Sequence, residues 1–75
     1  MKDFTKRRKR TTLYAAFTPI GDVVVNVWDW RKKELETLMS DRRANGEAID
    51  GEHMVRIYVT TYNEMLSKRG LPTIL

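Results

Sequence analysis

Thr11-Thr12-Leu13-Tyr14-Ala15-Ala16-Phe17-Thr18-Pro19-Ile20-Gly21-Asp22-Val23-Val24-Val25-Asn26-Val27-Trp28 holds two runs rich in β-branched and aromatic residues, parted by a four-residue break. Runs of that composition fit a pleated, half-buried surface. Proline presets φ at the first corner of a turn, and glycine takes the left-handed position after it. The stretch therefore reads as a β-hairpin closed by a type I turn and a glycine bulge. Alternation assigns Leu13, Ala15 and Phe17 of the first strand, with Val23, Val25 and Val27 of the second, to the core face. Tyr14, Val24, Asn26 and Trp28 fall on the other face. A slip of one residue would exchange the two sets.

Downstream, residues 30–45 read as a helix. Asp29 is placed to accept from the free N–H groups of its first turn. Leu35, Leu38 and Met39 form a narrow apolar stripe, and Asn45-Gly46 ends it. Residues 52–69 read as a second helix, with Asp50 as its cap and His53 in its first turn. Met54, Val55, Tyr58, Val59, Tyr62, Met65 and Leu66 cluster at helical spacing, and Ile57 and Thr61 widen the arc to roughly 200°. On this reading Tyr58 and Tyr62 pack in the core one turn apart. Gly70 and Pro72 stop the helix. The apolar tail Leu71-Pro72-Thr73-Ile74-Leu75 folds back onto the body.

The expected fold class is thus α+β: a basic N-terminal arm, a β-hairpin, then two α-helices packed on one sheet face (ββαα). Residues 1–10 are the arm, and residues 11–75 are a single small domain, as suits a chain of 75 residues. A two-stranded sheet is marginal alone. With the broad apolar arc of the second helix, it points towards a homodimer. The alternative is a ribbon-helix-helix-like dimer over residues 23–69, which the preceding strand and the long first helix fit poorly.

The net charge of +4 is unevenly spread. Residues 1–10 hold six of the 14 Lys/Arg against Asp3 alone, a local charge of +5, which leaves the body at −1. A terminal block of like charge is expected to stay extended and to dock on an anionic partner. Lys6, Arg7, Arg8, Lys9 and Arg10 are consecutive cations of the kind that displace counterions from phosphates. Arg31, Lys32, Arg42 and Arg43 would extend that surface over the first helix; the plain alternative for them is a solvated helix face.

Trp30 lies off the apolar stripe of its helix. It is expected either to anchor a partner by stacking or to fold over the end of the core, which is also the role expected of Trp28. Tyr14, on the outer strand face, is a candidate partner contact, through core or dimer packing more than as a base platform.

Other chemistry finds little support. There is no cysteine and one histidine, so neither a disulfide nor a structural metal site is expected. Asp50, Glu52 and His53 match no ligand spacing. No phosphate-cradling glycine loop and no activated nucleophile is present, so no cofactor and no enzymatic activity are expected. No apolar run approaches the length of a membrane span. The expectation is a small cytoplasmic protein that binds nucleic acid, DNA or RNA, in a regulatory role. The competing expectation is a compact protein-interaction module, an inhibitor or adaptor of a larger protein.

Overall fold

The computed structural model describes residues 10–74. Five elements follow one another: β1 (Thr12–Phe17), β2 (Val23–Asp29), α1 (Lys32–Ala44), β3 (His53–Tyr58) and α2 (Val59–Lys68). The strands form one antiparallel sheet in the order β2-β1-β3. The α+β class stands. The ββαα order does not, because a third strand separates the helices.

That strand replaces the first half of the expected second helix. His53-Met54-Val55-Arg56-Ile57-Tyr58 alternates as well as it fits a helical wheel, and a short apolar run cannot distinguish the two periods. Pairing decides. A helix here would leave one edge of β1 unpaired, whereas a strand pairs with it from Thr12–Tyr58 through Phe17–His53 without a break. His53 therefore starts a strand rather than sitting in a helix's first turn, Asp50 precedes no helix to cap, and Tyr58 leaves the core for an exposed position. The chain turns into α2 at once: Tyr58 is still extended at φ −66°, ψ 141°, and the Val59 N–H donates to the Thr11 carbonyl at 2.8 Å.

The two helices lie on opposite faces of the sheet. Val59, Tyr62 and Leu66 of α2 pack with Leu13, Ala15, Phe17 and Val23 on one face. Leu35 and Met39 of α1 pack with Ala16, Val24 and Val27 on the other. The expectation of two helices on one sheet face is overturned by β1 itself, in which Ala15, Ala16 and Phe17 are all buried although they alternate sides. Fully buried side chains such as Leu13 and Leu35 contribute about 2–3 kcal/mol each relative to exposure. The ribbon-helix-helix alternative fails because β2 pairs with β1 and because β3 occupies chain that it needs as helix.

The hairpin turn is closed as expected. The Gly21 N–H donates to the Thr18 carbonyl at 2.9 Å, Thr18 N–H to the Asp22 carbonyl at 2.8 Å, and Gly21 takes φ +90°. The register beyond it differs. Phe17 pairs with Val23 but Ala15 with Trp28, so β2 carries a bulge opposite Ala16. Asn26 sits in it at φ 64°, a conformation that asparagine tolerates better than most residues. Val25 and Asn26 are pushed outward. Val24 and Val27 then join the α1 side, and Trp28 the α2 side.

Helix α1 begins at Lys32, two residues later than expected. Asp29 ends β2, and its carboxylate accepts from the Arg31 N–H at 3.1 Å, while extended Arg31 is the N-cap. Leu35 and Met39 are buried, but Leu38 is exposed. The tail does fold back. The Asn63 side chain holds both backbone groups of Ile74, donating at 2.9 Å and accepting at 2.7 Å. Among the described residues no helix is long and apolar enough to cross a membrane.

Candidate functional site

Antiparallel pairing brings the start of β1, the end of β2 and the end of β3 to one end of the sheet. Arg10, which leads into β1, lies there. So do Trp30 and Arg31 after β2, Lys32 at the start of α1, and Arg56 and Tyr58 of β3. Four of these six are cations, and Arg10, Arg31, Lys32 and Arg56 are all exposed. Of the residues expected to bind nucleic acid, Lys6, Arg7, Arg8 and Lys9 lie outside the described residues. Arg10, Arg31 and Lys32 are brought together.

Trp30 is the scaffold of this end. Its ring meets Trp28 edge-on, with centroids 5.2 Å apart at 89°, and both rings pack against the α2-side core. The Arg10 guanidinium sits 5.3 Å from the Trp30 ring centroid. A cation over an indole face is attracted by the ring quadrupole, a contact worth about 0.5–1 kcal/mol at an exposed site. Trp30 thus folds over the end of the core and, with its outer face, holds the point where the basic segment enters the sheet.

Arg42 and Arg43 are not part of this end. Helix α1 runs away from it, and its 13 residues span about 20 Å. Arg42 is committed elsewhere: it donates to Glu52 at 2.9 Å and to the Glu47 carbonyl at 3.2 Å, and little of its side chain meets solvent. Burial opposes the charge on Glu52. The Arg42 bond, the Ile49 N–H at 3.1 Å and the nearby charges of Arg42 and Arg43 outweigh it, so the carboxyl is held below its usual range. Arg43 stays exposed beside a loop that carries Glu47, Asp50 and Glu52. The far end is mixed in charge: the carboxylates Glu47, Asp50 and Glu52 lie there with Arg42 and Arg43, and the Arg69 guanidinium donates to the Val23 carbonyl at 3.3 Å.

Arg56 and Tyr58 were not among the expected contacts, because a helical reading of 52–69 places Tyr58 in the core. The strand pairs Tyr14 with Arg56 and Thr12 with Tyr58, which sets all four side chains on one sheet face. Tyr14 is half-buried and rests against the α1-side core. Tyr58 is 63% exposed. A shallow hollow of about 430 Å³ lined by Thr12, Arg56, Ile57, Tyr58 and Thr61 opens beside it. The alternation of His53–Tyr58 is the signal that identifies these residues, once β1 is known to need a second partner.

The chemistry this end offers is recognition: guanidinium and ammonium groups for anions, and aromatic faces for stacking. His53, at the other end, is exposed, and its Nδ1 lies 3.4 Å from the Gly51 carbonyl. No protein-family model matches the sequence, and comparison with curated proteins and with solved structures gives no match.

Proposed function

We propose that this protein binds nucleic acid through the end of the sheet at which its basic segment enters. The observation that carries the reading is the convergence of Arg10, Arg31, Lys32 and Arg56 from three separate parts of the chain onto that end. The run Lys6–Arg10 leads directly into it. Cations grouped this way attract phosphates and gain free energy from released counterions.

The test is fluorescence anisotropy of labelled oligonucleotides titrated with the full chain over a salt series. Binding is expected to weaken linearly in log–log form, by about 0.7–0.9 for each phosphate neutralised. The combined variant Arg31→Gln/Lys32→Gln/Arg56→Gln should lower that slope by about 2–3. Arg43→Gln should leave it unchanged. An absence of binding at an ionic strength of about 0.15 M sinks the reading.

A second reading is favoured by one observation. Among the described residues no strand pairs with the outer edge of β3, which lies beside exposed Tyr58. A compact interaction module could add a partner's strand there, with the basic end steering encounter with an acidic protein. Oligonucleotide binding that is absent, together with capture of a defined protein lost on Tyr58→Ala, would favour it.

A further inference from the structure

We infer that the sheet face left open beside α1 stacks unpaired bases, which makes single-stranded nucleic acid the preferred partner. The inference rests on the nucleic-acid reading above and narrows its substrate.

Helix α1 covers only part of its side of the sheet. It packs over β2 and β1, on Ala16, Val24 and Val27, and leaves most of β3 bare. Met54 reaches the edge of the α1-side core; Arg56 and Tyr58 do not. The open part of the face therefore centres on Arg56 and Tyr58 of β3, bordered on β1 by half-buried Thr12 and Tyr14, of which Tyr14 also rests against the α1-side core. Tyr14 and Tyr58 are diagonal neighbours, about 7–8 Å apart at their backbones, with Arg56 beside both. The exposed Tyr58 ring, the uncovered part of Tyr14 and one planar guanidinium on adjacent strands give bases something to stack on.

Charge complementarity decides what covers this face. It carries Arg56 itself and shares its side of the sheet with the start of α1 at Lys32, so a chain laid across the rings carries its phosphates towards cations. A duplex hides its base faces in its own stack and can use only the cations. Two-fold pairing of β3 edges with a second copy, centred on Arg56, would set that guanidinium against its own copy, and like charges directly opposite destabilise a strand pair. Tyr58, 63% exposed, leaves its ring free to receive a base.

The experiment compares anisotropy titrations of the full chain with a labelled oligothymidylate single strand, an oligouridylate of equal length and a duplex, all at one salt concentration. Both single strands should bind at least about 10-fold more tightly than the duplex. Tyr58→Ala should weaken single-strand binding by roughly 5- to 100-fold and leave duplex binding unchanged, while Tyr58→Phe should bind as the parent does. Arg31→Gln/Lys32→Gln should weaken both forms alike. Equal affinity for single strand and duplex, or single-strand binding indifferent to Tyr58→Ala, overturns the inference and leaves nucleic-acid binding standing. Failure to bind any of the three oligonucleotides removes that reading and the inference with it. A sedimenting dimer that dissociates on Tyr58→Ala, with single-strand affinity unaffected, assigns the face to a second copy instead.

Discussion

Glu52 and Arg42 form an ion pair at the end of α1 far from the basic surface. The carboxylate side chain is 3% exposed and the guanidinium 16%. Such a pair is costly to break, because the surviving partner is left without its counter-charge away from water. Glu52 titrates below its ordinary value of 4.5 in the folded chain. Its ionised form thus contributes stability that is fully present above the unfolded pKa and is lost as pH falls through the lower, folded one. Urea denaturation between about pH 3 and pH 6 should show stability falling at the acid end in the parent, and Glu52→Gln should flatten that part of the curve. Parallel curves would show that Glu52 is not the group responsible. None of this could be read from the sequence: Arg42 beside Arg43 looks like one half of a basic pair until the returning loop delivers Glu52 to it. Asn26 is a similar case. Its left-handed backbone follows from a bulge that becomes visible only when both strands of the hairpin are in register.

The hairpin, its turn, α1, the C-terminal half of the second helix and the folded-back tail were all legible, because local signals of turn chemistry, helical spacing and stop residues agree there. The first half of the expected second helix was not. Its residues satisfy two periods equally, and the deciding fact is the open edge of β1, more than 35 residues away in the chain. The same non-local pairing hid Arg56 and Tyr58 as surface groups. How β3 is brought to that edge leaves one residue exposed to a sharp test. Gly51, just before the strand, adopts φ +81°, and a Cβ on it would lie 2.5 Å from Cγ of Pro19 in the hairpin turn. The loop and the turn therefore meet backbone against ring, with no room for a side chain. Gly51→Ala should destabilise the fold by about 1–3 kcal/mol through strain and displacement of that contact, measured as a shift of the denaturation midpoint. Gly46→Ala, also at positive φ but with open space around its added methyl, should cost less. Equal losses in the two variants would mean that the contact with Pro19 contributes nothing.

β1 gives the molecule its unity. It lies between the other two strands and contributes side chains to both cores, Leu13, Ala15 and Phe17 to one and Ala16 to the other. The third strand and the second covered face also remove the two grounds on which the sequence pointed to a dimer: the sheet is no longer two-stranded, and the apolar arc from Met54 to Leu66 is divided between a strand and a helix. A chain of this length buries only about 60% of its unfolded surface, so neither half-core has stability to spare. Helix α1 cannot leave without exposing Ala16, Val24 and Val27, and the loss of β1 order that follows opens the α2 side as well. The two sides should then unfold as one. They can be followed separately, since Trp28 and Trp30 lie on the α2 side and report it by fluorescence, whereas far-UV circular dichroism weights both helices. In urea the two signals should give one midpoint and a common slope of about 1 kcal/mol/M, small as befits a short chain. A circular dichroism loss that precedes the fluorescence change would mean that α1 melts by itself from a sheet still held by α2. The face proposed to stack bases would then lose the α1-side support of Tyr14 before the fold is lost, and single-strand binding, if it uses that face, should fail at the lower of the two midpoints.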